Sequence, residues 1–365
     1  MATLEFLLPG NPLTATGGYE YDRRIAEGLR GLGWTVRVRS LDSSFPFPTA
    51  HALIDAQQQL AALAAGSLVL IDGLALGAMA EVAQAHAGRL QLIGLVHHPL
   101  AAETGLSQEL AAQLVESERR ALQAVRMVIV TSDSTRRALA GYGVAEQRIA
   151  VVEPGVEGPH GTHIESYRRL RDENDPLRML CVATITPRKG HDRLVDALAE
   201  LREYPWVLNC VGNVERSPET TSALRARIAA AGLEQRIVLT GELDAAALDR
   251  QLRSADLFVL ATRFEGYGMA VTQALAYGLP VVSTRTGAIA DLVSAEAGIL
   301  VDPNDGTALR EALAHILTDS ALRVRLAAGA QRVATNLPSW SAASQQLSEV
   351  LTHASRNSSN TAFQS

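Results

Sequence analysis

Short apolar runs of strand length alternate with amphipathic stretches of helix length over most of this chain, and that alternation leaves few folds open. The first series places strands at 4–8, 36–38, 68–71, 90–96 and 127–131. Helices over 21–32, 51–65, 77–87 and 108–124 lie between them. Such an order predicts an α/β class, with parallel sheets covered by helices on both faces. Residues 158–176, rich in Gly, His, Ser, Arg and Asp, carry no apolar period and read as a linker. A second series follows, with strands near 179–183, 207–211, 237–239, 257–260, 281–283 and 298–301. Its helices are expected over 190–203, 220–231, 245–254, 269–277, 307–318 and 320–334. At 365 residues the chain exceeds the usual size of one core. The expectation is therefore two Rossmann-like domains, 1–157 and 177–337. A last helix over 338–354 is expected to return to the first domain, with a disordered tail at 355–365.

Composition excludes more than it assigns. A formal net charge of −6 disfavours a broad nucleic-acid surface, which needs basic groups to displace phosphate counterions. No apolar run reaches membrane-spanning length, and residues 1–8, with no basic group and with Glu5 inside their short apolar run, are expected to form a first strand rather than a signal peptide. The expectation is a cytoplasmic protein whose peripheral membrane contacts and oligomeric state the sequence leaves open. Cys181 and Cys210 sit in apolar runs and read as reduced core residues. Lys189 is the single lysine in a chain that otherwise uses arginine. The two cations are not equivalent at a phosphate, so this lone ammonium invites a functional reading.

In doubly wound sheets ligands bind beyond the carboxyl ends of strands, so the residues just after strands matter most. Gly17-Gly18-Tyr19 follows the first strand, where backbone N–H groups at a helix entrance can meet an anion. A plain turn explains a Gly-Gly pair equally well. His97-His98 follows the strand at 90–96 and can donate to a sugar hydroxyl or phosphate; a His pair in a turn is the bland alternative. With no carboxylate or cysteine cluster beside it in sequence, no metal site is expected there. Arg188-Lys189 follows the first strand of the second series, at an expected helix N-terminus where cations oppose the dipole. A diphosphate between them would neutralise both. After the strand at 257–260 come Glu265, Gly266, Tyr267, Gly268 and Met269, a loop whose backbone can approach a ligand, with Gln273 about two helical turns beyond Glu265.

Together these segments resemble the retaining glycosyltransferases of the GT-B fold, family GT4, from Gly17 through Trp340. Weaker matches in the same order are Ser132 to Thr135, Pro154 to Glu157, Thr286 to Asp291 and Gly298 to Pro303. The resemblance implies two facing Rossmann-like domains, the second binding a nucleotide diphosphate sugar and the first an unidentified acceptor. It implies that Arg188 and Lys189 stabilise the leaving diphosphate, and that Glu265 and His97 hold the sugar. Gly17, Gly18, Thr184, Gly212, Gly266, Tyr267, Gly268, Met269 and Gln273 fall on the donor side, His98 and Tyr19 on the acceptor side. Two positions depart from the pattern. Thr184 stands where an arginine is common, and Gln273 replaces a glutamate that accepts hydrogen bonds from the ribose. No cofactor is implied, and UDP- and GDP-linked donors are not distinguished. The absence of Asp-x-Asp agrees with metal-independent chemistry. A nucleotide-sugar epimerase or hydrolase on the same fold, and an inactive sugar-nucleotide binder, are the alternative readings.

Overall fold

A computed structural model describes residues 2–14, 16–158 and 175–361. It divides into two compact units, Met1–Gly155 with Pro338–Ser365, and Val156–Leu337. Most of the expected linker, 159–174, lies outside the described residues. No helix among them is long and apolar enough to cross a membrane.

The first unit holds six parallel strands in the order β2-β1-β3-β4-β5-β6. They are β1 (Thr3–Pro9), β2 (Thr35–Leu41), β3 (Leu68–Asp72), β4 (Gln91–Val96), β5 (Met127–Val130) and β6 (Ile149–Val151). β3 and most of β1 and β4 are buried, as strands covered on both faces must be. The helices are α1 (Gly17–Gly31), α2 (Ala50–Ala61), α3 (Gly73–Leu76), α4 (Ala80–Ala87), α5 (Gln108–Ala124) and α6 (Asp133–Ala138). Polar side chains start several of them: Thr16, Thr49, Ser107 and Ser132 each accept a hydrogen bond from the first turn. β6 and α6 are too short and too polar at their edges to carry a period, and the sequence reading lacks both.

The second unit is a parallel sheet in the order β12-β11-β10-β7-β8-β9. Its strands are β7 (Leu177–Val182), β8 (Trp206–Val211), β9 (Ile237–Gly241), β10 (Leu257–Leu260), β11 (Val281–Thr284) and β12 (Gly298–Val301). Its helices are α7 (His191–Ala199), α8 (Pro218–Ala230), α9 (Ala245–Ser254), α10 (Met269–Ala276), α11 (Ile289–Leu292), α12 (Gly306–Thr318) and α13 (Ser320–Ala334). Trp206, Phe258 and the β10 and β11 residues form its core. Each such side chain contributes about 1.5–3 kcal/mol by leaving water.

The last helix, α14 (Trp340–Thr361), belongs to the first unit. Ala343, Leu347, Leu351 and Ala354, spaced as one helical stripe, are buried. Trp34 Nε1 donates to Ser348 Oγ at 2.9 Å, and Gln346 donates to the Val151 carbonyl. The expectation of disorder from 355 is corrected: the helix continues to Thr361, and 362–365 lie outside the described residues. Nucleation is already met by the packed stripe, so propagation through Ser and Asn costs only a few tenths of a kcal/mol per residue.

Candidate functional site

In the second unit the chain order reverses between β7 and β10, which makes the carboxyl ends of these neighbours the topological switch point. Both sequence-predicted loops leave from there. Pro187–Lys189 form one 3₁₀ turn ahead of α7, so Arg188 and Lys189 precede the helix instead of opening it. Gly190 closes the turn with φ 68°, and a Cβ there would lie 1.9 Å from the Ala261 carbonyl oxygen. Only glycine lets the turn seat against the end of β10. The loops are then stitched together. Arg263 N donates to the Arg188 carbonyl at 2.7 Å, and Thr262 Oγ1 lies 3.0 Å from the carbonyls of Arg188 and Phe264. The Arg263 guanidinium donates to the Pro187 carbonyl and pairs with Asp192 at 2.8 Å.

This scaffold sets three charges side by side. Lys189 Nζ donates to Glu265 Oε1 at 2.6 Å. Arg188 donates to the Phe264 carbonyl at 2.8 Å and stands 3.9 Å from Glu265 Oε2. Burial works to raise the Glu265 carboxyl, but Lys189 and then Arg188 outweigh it and hold the group below the ordinary carboxylate range. Glu265 thus offsets part of the positive charge that Arg188 and Lys189 carry.

Gly266, Tyr267 and Gly268 continue the loop. Gly268, at φ 104°, sits at the N-cap of α10, and Met269 opens that helix. Gln273 does not present its whole amide outward, because its Nε2 donates to the Glu157 carbonyl at 2.6 Å. Gly212 ends β8 against β7: a Cβ there would fall 2.2 Å from the Ala183 carbonyl oxygen, beside half-buried Thr184.

The first unit reverses between β1 and β3. Gly17 and Gly18 form the first turn of α1, after β1. His97 follows β4, and its Nε2 lies 3.1 Å from Asp22 Oδ1 and 3.4 Å from Asp72 Oδ2. A Cβ on Gly18 would touch the imidazole at 3.4 Å, so the helix start rests on this ring. Tyr19 donates its hydroxyl to the Pro9 carbonyl and closes the β1–α1 loop. His98 is half-buried beside His97.

Solved structures of the same architecture cover nearly the whole chain. Sucrose-phosphate synthase of Thermosynechococcus elongatus superposes with a TM-score of 0.80 at 20% identity, over 97% of this chain and 99% of its own. Anabaena HepE, solved in complex with UDP-glucose, gives 0.76 at 19% identity, over 97% and 100%. In sequence, the family described as Glycosyl transferases group 1 matches residues 164–333, and Glycosyltransferase Family 4 matches residues 21–157. The chain belongs to the GT-B glycosyltransferases of this group. A D-inositol 3-phosphate glycosyltransferase of Corynebacterium efficiens is 32% identical over 285 residues, 72% of this chain and 66% of that protein. Its counterpart in Salinispora tropica is 29% identical over 66% of this chain and 53% of its own length. The chain thus spans about half to two thirds of such relatives.

Within this GT-B chain, sequence reasoning gives no role to Asp22, Asp72 or Thr262, nor to Arg263, although Arg263 opens the post-strand segment that carries Glu265. A signal existed for two of them. Asp22 occupies the buried phase of α1, with Tyr21, Ile25, Ala26 and Leu29, where an unpaired carboxylate has no business. Asp72 ends a strand that is otherwise wholly apolar. Their convergence corrects the expectation that no carboxylates gather at His97. Asp22, Asp72 and His97 form one of two groups among the described residues whose possible metal-donor atoms lie within 4.8 Å of one another. Cys181, His191 and Cys210 form the other. The two cysteines are free, buried thiols paired across β7 and β8, with His191 Nε2 3.7 Å from Cys181 Sγ.

Proposed function

We propose that this chain transfers a sugar from a nucleotide diphosphate to an acceptor hydroxyl with retention of configuration, Arg188 and Lys189 meeting the departing diphosphate. The observation that carries this reading is the Arg188–Lys189–Glu265 cluster, mostly buried at the switch point of the second sheet. Two cations on a braced turn supply fixed positive charge where a leaving group would develop negative charge, at little reorganisation cost. Glu265 is already engaged by Lys189, which makes it a poor covalent nucleophile and supports front-face attack. In that reaction the bond from the anomeric carbon to the diphosphate oxygen breaks as the acceptor oxygen bonds to the same carbon. The acceptor proton passes to the leaving diphosphate. Side-chain cations at this spot support a metal-independent reaction. HepE, solved with UDP-glucose, and the inositol-phosphate relatives support a nucleotide sugar as donor and a hydroxyl-rich acceptor.

The test is transfer from UDP- and GDP-sugars over an acceptor panel, with the product anomer read by NMR. Lys189→Ala is expected to lower turnover by about 10²–10³-fold, the scale of losing one charge-stabilising donor. Activity is expected to survive EDTA. Near wild-type turnover in folded Lys189→Ala, or an inverted anomer, would overturn the proposal.

A further inference from the structure

His97 is gripped from three sides, and the groups that grip it are costly to bury. Asp22 and Asp72 are 1% and 2% exposed. Burying carboxylates in a doubly wound core is unfavourable unless something charged or donating compensates them. Asp72 divides its work: Oδ1 accepts from Leu74 N at 2.8 Å and caps α3, while Oδ2 faces His97 at 3.4 Å. Asp22 has no capping duty. Its Oδ1 faces His97 Nε2 at 3.1 Å, and its Oδ2 is buried without a partner. An apolar residue at this position would pack the α1 stripe at lower cost, so the carboxylate is there for the histidine.

The rest of the surroundings fix the ring's pose. Tyr21 meets it edge-on with centroids 5.4 Å apart, and the Tyr21 hydroxyl is itself tied to the Val152 carbonyl at 3.0 Å. Thr135 and Thr131 donate to the His97 carbonyl at 3.2 and 3.4 Å. Gly18 lies against the Cδ2–Nε2 edge. All these groups sit at the carboxyl ends of β1, β3, β4 and β5, where the first sheet reverses and a ligand would approach. The His97 side chain keeps 18% of its surface exposed.

Protonation decides what such a ring offers outward. With Nε2–H committed to the carboxylates, a neutral imidazole presents Nδ1 as an acceptor, whereas an imidazolium presents Nδ1–H as a donor. We propose that Asp22 and Asp72 are positioning residues that pin His97 through Nε2–H and keep it a cation, so that Nδ1–H is the donor offered to a ligand oxygen. This rests on the reading of the chain as a sugar transferase only for the identity of that ligand, not for the state of the ring.

The electrostatics run the same way. Burial alone would lower the imidazole pKa, but Asp22, and then Asp72, push it up to about 10. Burial raises the Asp22 carboxyl to about 6 despite the attraction of His97. Tyr21 stays neutral, because burial lifts its phenol well above the ordinary value. Between those limits the Asp22 carboxylate and the His97 imidazolium are both charged. His97 gains its partners on folding, so its contribution to stability is complete below the ordinary histidine value and is lost as pH rises through about 10.

The experiment is a histidine NMR titration of the full chain without substrate, with His97 assigned by the resonance missing in His97→Gln. The wild-type ring is expected to stay doubly protonated from pH 6 to pH 8.5. Asp22→Asn, the isosteric change, is expected to bring its midpoint to 6.5 or lower, because burial then acts with the larger part of the compensation removed. Asp72→Asn is expected to give a smaller downward shift, and it carries the test if Asp22→Asn does not fold. Transfer by Asp22→Asn should fall as pH rises from 6 to 8 while the wild type stays flat, a change that mere loss of packing would not produce. A wild-type His97 titrating near 6.5, or a midpoint unmoved by both substitutions, would overturn the proposal. Absence of any transferase activity would leave the titration result intact and count against the functional reading instead.

Discussion

Gln273 donates its amide hydrogen to the Glu157 carbonyl, and a glutamate there has no proton to give at neutral pH. Gln273→Glu therefore exchanges a bond worth about 0.5–1.5 kcal/mol for a carboxylate facing a carbonyl oxygen. Since the family resemblance puts a ribose-accepting glutamate at this position, it implies that this change preserves or tightens donor binding. The geometry reverses that expectation: stability in urea should drop by about 1 kcal/mol with no gain in nucleoside diphosphate affinity. A tighter complex by calorimetry would show that the amide oxygen side governs ribose binding. Glu265 poses the opposite case, because removing its charge strands two cations. Glu265→Gln should cost about 2–3 kcal/mol, less than a fully buried pair would, since Lys189 and Arg188 keep some water. The loss should shrink in acid. A depressed carboxylate stabilises fully above its ordinary pKa and loses that contribution as pH falls through the native value. A urea series showing an undiminished difference at low pH would contradict the ion pair.

Among the elements, α14 is held by how closely it approaches α1. A Cβ on Gly28 would fall 1.9 Å from Ser344 Oγ and 2.6 Å from Ser344 Cβ, so a rotamer change of the hydroxyl cannot clear it. Ala is the better helix former by about 1 kcal/mol, but overpacking costs about 1–3 kcal/mol and should win. Gly28→Ala is expected to destabilise the chain. The double change Gly28→Ala with Ser344→Gly should be more stable than the two separate losses added together, because the colliding atoms are gone. Additive losses in chemical denaturation would mean that the helices part without cost. Gly155 makes a similar demand, since a Cβ there would lie 2.2 Å from Trp340 N, where α14 begins.

At the scale of the whole molecule, two separate cores mean that a ligand can report its unit. A nucleoside diphosphate held by Arg188 and Lys189 should add about 2.7 kcal/mol of stability at one hundred times its dissociation constant. Hydrogen-exchange protection should concentrate on 184–190 and 262–273 in the second unit. Protection confined to the first unit would show that the phosphates bind at α1 and that the cation pair serves only Glu265.

What could be read without coordinates was whatever local chemistry repeats or stands alone. The alternation of apolar runs located eleven strands within a residue or two at most ends, because a strand buried on both faces has to be apolar throughout. The lone lysine, the post-strand histidine and the glycine-flanked Glu265 were visible because each breaks the composition around it. The helix-length run at 77–87 was misjudged, since α3 ends at Leu76 and α4 starts only at Ala80. Partnership was not visible at all. Asp22, Asp72 and His97 are brought together by strand order, from positions dozens of residues apart, and Lys189 meets Glu265 only because β7 lies beside β10. Periodicity decides which residues are buried; strand order decides which buried charges meet, and a hydrogen bond acts over about 3 Å.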